Sequence, residues 1–197
     1  MQTPYPPLEP RRLSGPVTFF TPSQALPDEV GLESPAIFCM TDLRVVPALT
    51  IEPQVSIEWA LGRMIDAGVR LLLVINADNQ ILGLITSHDI QGEKPLRLEH
   101  ELSLKYAEIR VRDVMTPVEL LDVIPIQDVL QANVGHVVST LRQSGRHHAL
   151  VTDALPTGQE AIRGIFSTTT ISRQLGWEIQ PTHQAGSFAE LEAALNH

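Results

Sequence analysis

Gly83-Leu84-Ile85-Thr86-Ser87-His88-Asp89-Ile90 is the stretch whose reading decides the fold. It reads as a buried apolar strand that ends in a hydroxyl residue and runs straight into a helix. The first N–H groups of a helix have no internal partners, and the helix dipole favours negative charge there, so such a junction can hold a phosphate. Asp89 adds a carboxylate able to accept from the two hydroxyls of a ribose, as an acidic residue does in dinucleotide folds. The same residues also spell a helix cap, a hydroxyl followed three positions on by an acid. Both roles stay open, and one hydroxyl can serve both.

A near-copy, Gly164-Ile165-Phe166-Ser167-Thr168-Thr169-Thr170-Ile171, follows 81 residues later, with Thr170 where the first copy has Asp89. Upstream, the offset is 77: Asn133 replaces Ser56 as a helix cap, and Ile57, Ala60, Leu61, Met64 and Gly68 correspond to Val134, Val137, Val138, Leu141 and Gly145. Ala149-Leu150-Val151 matches Leu72-Leu73-Val74, and an insertion around Pro156-Thr157-Gly158 moves the offset from 77 to 81. Structural roles kept in register over this length define an internal repeat.

Each copy is expected to run strand, helix, strand, strand, helix. In the first, Val45 to Ile51 reads as a strand, Ser56 caps a helix, and Gly68 supplies its left-handed end. Leu71 to Ile75 and Ile81 to Thr86 are the next strands, with turn residues Asn76-Ala77-Asp78-Asn79 between them and a helix starting near Ser87. In the second, Leu120 to Ile124 reads as the first strand, with an irregular exit through Pro125 and Ile126 to Leu130. Neither half buries both faces of its sheet alone, so the two are expected to pack as one α+β unit.

The expected divisions are an arm over 1–34, a first repeat over 35–92, a connector over 93–110, a second repeat over 111–176 and a tail over 177–197. The arm carries seven of the fifteen prolines, which disfavour regular structure, and its apolar patch Val17-Thr18-Phe19-Phe20 is the part expected to dock. Leu98, Leu102 and Leu104 suggest a short amphipathic helix in the connector. In the tail, Trp177-Glu178-Ile179 precedes a capping box, Ser187-x-x-Glu190, that opens a helix carrying Phe188, Leu191 and Leu195, read as a docking or dimerisation element.

Composition narrows the function classes. At 43% hydrophobic and 19% charged, the 197 residues are ordinary for a globular protein. No apolar run approaches the roughly 18 residues of a membrane span, and the N-terminus lacks the basic start and apolar core of a secretory signal. A single cysteine, Cys39, makes no internal disulfide and fits a reducing cytoplasm. The net charge of −9, with only Arg11-Arg12 and Arg110/Arg112 as basic spots, argues against gripping a nucleic-acid polymer. A small anion needs only a helix terminus and one or two cations. His147 and His148, adjacent on a strand, point to opposite faces and do not easily chelate one metal ion. No paired acids, triad or metal set has the spacing of an enzyme.

Over residues 36–176 the chain resembles a tandem pair of CBS domains, also called a Bateman module. The resemblance rests on Met40-Thr41 and Met115-Thr116, on Gly68 and Gly145, and on the two strand-to-helix motifs. It implies a regulatory, non-catalytic module that binds an adenosine ligand between the repeats, pairs into a flat homodimer and needs no cofactor. By the same resemblance, Asp89 is the ribose acid, Thr86 the hydroxyl near the phosphate, His88 the residue before the acid and Arg70 the phosphate-contacting base. Leu84 lies on the motif strand, and the segment around Thr116 and Val118 closes over the adenine. A second cleft is implied at His147, Ser167, Thr169 and Thr170, with Thr41 across from it. Thr170 departs from the pattern: its hydroxyl replaces a carboxylate, a loss on the order of 1.5–3 kcal/mol, so the second site is expected to be weak or empty.

The leading expectation is therefore a cytoplasmic, energy-sensing type of module that reads AMP, ADP, ATP, S-adenosylmethionine or a dinucleotide and signals to a separate partner protein. The alternative is a ligand-independent scaffold using the dimer as a platform. Structural roles compete at each residue: Thr86 and Asp89 as a cap, Arg70 as a surface cation, His88 as a solvated helix-start residue.

Overall fold

The two copies become two four-stranded sheets, and each sheet borrows a strand from the other half of the chain. The structure is a computed structural model and describes residues 8–12, 16–18, 20–102 and 105–180. In the first half lie β1 (Thr41–Asp42), β2 (Thr50–Ile51), α1 (Ile57–Asp66), β3 (Leu71–Ile75), β4 (Ile81–Thr86), α2 (Ser87–Gln91) and α3 (Glu93–Leu102). In the second lie α4 (Val111–Val114), β5 (Thr116–Pro117), β6 (Val123–Pro125), α5 (Ile126–Gln131), α6 (Val134–Ser144), β7 (His148–Ala154), β8 (Glu160–Ser167) and α7 (Thr168–Leu175). One sheet has the order β2-β3-β4-β5 and the other β1-β8-β7-β6.

The central α-helices form where the sequence places their caps. Ser56 Oγ accepts from Trp59 N at 3.3 Å, and Asn133 Oδ1 accepts from His136 N. Gly68 and Gly145 end these helices at φ 65° and 64°, where a Cβ would be strained. Apolar residues at helical spacing (Ile57, Ala60 and Met64 on α1; Val134, Val137, Val138 and Leu141 on α6) face their own sheets and are buried.

Each core is completed by the lead-in to the opposite repeat. Ala36, Cys39 and Met40 sit in the core of the second repeat, whereas Ile109, Val111 and Val114 sit in that of the first. Accordingly β1 pairs antiparallel with β8 (Thr41 opposite Ile165), and β5 pairs antiparallel with β4 (Thr116 opposite Leu84). A third cluster, Leu71, Leu73, Leu84 and Leu150, joins the two sheets face to face. The fold is α+β, two intertwined repeats around a pseudo-twofold axis.

Several local expectations are corrected. Val45 to Ile51 is not one strand: only Thr50–Ile51 pairs, because Pro47 lacks a donor and Val45 and Val46 turn back onto the Asp42 carbonyl. Leu120 to Ile124 gives a strand only from Val123, after a 3₁₀ turn at Val118–Leu120. The supposedly irregular exit, Ile126 to Leu130, is helix α5, with Ile126 and Val129 buried at helical spacing.

The proline-rich arm is ordered in its last part. Val30 N donates to the Gln174 carbonyl, Gly135 N to that of Leu32 and Val134 N to that of Ser34, while Val30 and Leu32 pack on the second-repeat core. The buried Gln174 Nε2 donates to the carbonyls of Pro27 and Phe38. Val17 and Phe20 instead project into solvent at 65% and 104% exposure, so the patch named for docking makes no such contact on this chain; its Phe19 lies outside the described residues. In the connector, Leu98 packs on the first core. Leu104 and the Ser187–Glu190 helix start lie outside the described residues, and Trp177 and Ile179 pack on the second core. No helix among the described residues is long and apolar enough to cross a membrane.

Candidate functional site

The first strand-to-helix junction is built as a reciprocal cap. Thr86 Oγ1 accepts from Asp89 N at 3.2 Å, and Asp89 Oδ2 accepts from Thr86 N at 3.0 Å and from the Thr86 hydroxyl at 2.7 Å. The competing structural role is therefore real: Asp89 is held against its own helix start, with 14% of its side chain exposed. Its other oxygen, Oδ1, accepts from Lys94 Nζ at 3.1 Å, and the same ammonium donates to the Val114 carbonyl at 2.9 Å. Lys94, at the start of α3, is a partner of Asp89 that the sequence reading did not name. Its signal was weak, because only the turn between α2 and α3 brings it back onto Asp89.

Around this junction lie Arg70 and two imidazoles. The Arg70 carbonyl accepts from Ser87 N, which sets Arg70 and His88 on either side of one backbone contact, both exposed. His147 occupies the Arg70 position of the second repeat, and its carbonyl accepts from Thr168 N in the same manner. The His88 and His147 rings lie 5.5 Å apart, tilted by 47°. Residues read from the sequence as belonging to two clefts thus meet at one seam. Burial, followed by the charges of His88 and Arg70, lowers the pKa of His147.

His148 shares a strand face with Leu150, in the cluster between the sheets. Burial, then His147 and Arg70, depress its imidazole to about 4, with Asp89 pulling the other way. Leu84 is buried in the same cluster, Thr116 is hydrogen-bonded beside it through the β4–β5 pairing, and Val118 follows with 42% exposure. Of the residues named for the first cleft, β4, α2 and the borrowed β5 carry Leu84, Thr86, His88, Asp89 and Thr116, whereas Arg70 precedes β3 and Val118 follows β5.

The second junction is different chemically. Ser167 precedes α7 without any side-chain cap bond, and Thr170 brings no carboxylate back to the helix start. Thr169 is exposed, whereas Thr168 is buried and sits 3.4 Å from His147 Nδ1 through its hydroxyl. Thr41 lies on the borrowed β1, opposite Ile165. Cys39 is fully buried and its thiol is pushed up to about 11 by that burial, which removes it as a nucleophile. Among the described residues no three His, Cys, Asp or Glu side chains are grouped to hold a metal.

With this geometry in place, comparison with known proteins gives a family match over part of the chain. Residues 39–93 match the family described as CBS domain, and the second half repeats the same architecture. A conserved protein from Pyrococcus horikoshii is similar at 25% identity and a TM-score of 0.51, over 72% of this chain and 92% of that one. A CBS-domain containing protein of Agrobacterium tumefaciens is similar at 18% identity and 0.48, over 64% and 83%. The protein CBSX2, solved in complex with AMP, is similar at 19% identity and 0.47, over 71% and 93%. A comparison with the curated proteins gives no match.

Proposed function

We propose that the first cleft binds an adenosine-containing ligand bearing phosphate, and that the protein is a non-catalytic regulatory module passing this signal to a partner protein. One observation carries the reading: the capped Thr86–Asp89 junction lies beside Arg70, whose carbonyl accepts from Ser87 N, and beside the His88–His147 ring pair, and no salt bridge joins Arg70 to any acid among the described residues. An anion placed there is attracted by the Arg70 guanidinium, which, after burial and His88, already lowers the pKa of His147. A cationic ligand end, such as a sulfonium, is disfavoured by Arg70, so AMP, ADP or ATP fits better than S-adenosylmethionine. Thr116 on the borrowed strand and Val118 in the turn after it supply the adenine side. Pairing with a second copy and a cytoplasmic setting belong to the same proposal.

The test is thermal unfolding of the wild type and Asp89→Ala with AMP, ADP, ATP and S-adenosylmethionine. A ligand at 100 times its dissociation constant adds about 2.7 kcal/mol, a shift of about 5–10 °C for a chain of this size. The expected result is a shift with the phosphorylated ligands that the variant loses. A folded wild type that shifts with none of them sinks the proposal and favours the ligand-independent scaffold.

A further inference from the structure

Resting on that reading, we propose that Lys94 is a specificity-determining residue of the first cleft, forming with Asp89 an acceptor–donor pair that reads two neighbouring hydroxyls of a ribose. The argument is a count of hydrogen-bonding capacity. An ionised carboxylate offers about four lone-pair sites and an ammonium three donors. Asp89 Oδ2 already accepts twice from Thr86, and Oδ1 accepts once from Lys94. One acceptor site therefore remains, on Oδ1. Lys94 Nζ uses two of its three donors, on Asp89 Oδ1 and on the Val114 carbonyl. One donor remains, 3.1 Å from the remaining acceptor, on a side chain that is half exposed.

A carboxylate with both oxygens free takes two donors from a diol, one at each oxygen, but here Oδ2 is filled by Thr86, in the wild type and in any Lys94 variant alike. This pair instead takes one donated hydrogen bond and gives one, which suits two adjacent hydroxyls, each able to do either. Both partners are fixed beforehand: Asp89 by its helix cap, and Lys94 by a carbonyl on the lead-in that carries Thr116 to β4. Little rotamer freedom remains to be lost on binding. The pair reads a ribonucleoside and rejects its 2′-deoxy counterpart, which leaves one member unmatched. A solvent-accessible pair of this kind gives a preference of about tenfold, far below that of a fully enclosed site.

The experiment is calorimetric titration of the full chain, as wild type, Lys94→Met and Lys94→Arg, with AMP, ATP and their 2′-deoxy forms. The expected result is a wild-type preference of about tenfold for the ribo form, falling to within about twofold in Lys94→Met and partly restored in Lys94→Arg. A residue with a merely structural role would weaken both forms equally and leave the ratio unchanged. Binding by the wild type with an unchanged ratio in Lys94→Met overturns the role of Lys94 and leaves the adenosine reading standing. Absence of binding by the folded wild type overturns both.

Discussion

His148 illustrates how one side chain carries the asymmetry of the two halves. Its counterpart at the 77-residue offset is Leu71, buried between the sheets, so the position itself asks for an apolar group. Burial and the neighbouring cations hold the His148 imidazole neutral down to about pH 4, whereas in the unfolded chain it titrates near 6.5. Between those values the unfolded chain takes up a proton that the folded chain refuses, so stability is full above about pH 6.5 and falls as the pH drops. The cost is at most about 3 kcal/mol by pH 4, less to the extent that water reaches the ring. His148→Leu is expected to remove most of this acid limb. Urea unfolding at pH 7.5 and pH 5 measures it, and an unchanged difference between the two would place the acid sensitivity elsewhere. At the other junction, Thr170→Asp gives Ser167 the reciprocal acid that Thr86 enjoys. The expected gain is about 0.5–1 kcal/mol, read as a rise of about 1–4 °C in melting temperature. An unchanged or lowered melting temperature would mean that the Ser167 backbone cannot close the box.

Among the elements, the short borrowed strands control the site more than the long ones. A Cβ on Gly83 would run into the carbonyl oxygen of Thr116, so this glycine exists to let β5 lie against β4. On the other sheet, Gly164 makes the same room for the side chain of Met40. Gly83→Ala is expected to destabilise by about 1–3 kcal/mol and to loosen β5, with faster amide exchange at Thr116 than at Leu73 or Val74. Uniform exchange across the sheet would show that β5 tolerates the displacement. The Asp42–Arg163 ion pair, joined by Asp153 and Arg44, ties β1 to the β7–β8 hairpin in turn. These strands mark the limit of what the sequence made legible. The caps at Ser56, Thr86 and Asn133 and the glycine ends could be read because each depends on neighbours a few residues away. The two-residue strands β1 and β5 have no periodicity of their own, and Pro117 hides β5 further. The encounter of Lys94 with Asp89 and Val114, and that of His88 with His147, depends on folding across the seam, which no local pattern encodes.

On the scale of the whole molecule, the repeat in sequence is not the unit in space. Residues 39–93 carry the family signature, yet Cys39 and Met40 sit in the core of the other half, and Ile109, Val111 and Val114 complete the core of this one. A fragment cut at the sequence repeat, 36–104, keeps β2, β3 and β4 but exposes the faces of Ile57, Ile85 and Ile90 that the second lead-in covers. It also leaves its own Ala36 and Met40 without a site. A fragment over 49–117 has the same order of length but holds the full β2-β3-β4-β5 sheet, including the Thr116–Leu84 pairing and the Lys94 bond to the Val114 carbonyl. Each apolar side chain left exposed costs roughly 1.5–3 kcal/mol, and three or more exceed the margin of a domain this small. The expectation is dispersed amide spectra and a cooperative melt for 49–117, and collapsed spectra without a transition for 36–104. The reverse order would mean that the lead-ins are decoration rather than core. On the function proposed above, a ligand between Asp89 and Thr116 would bridge the first half and a segment belonging by sequence to the second, and so act on the joint between the halves.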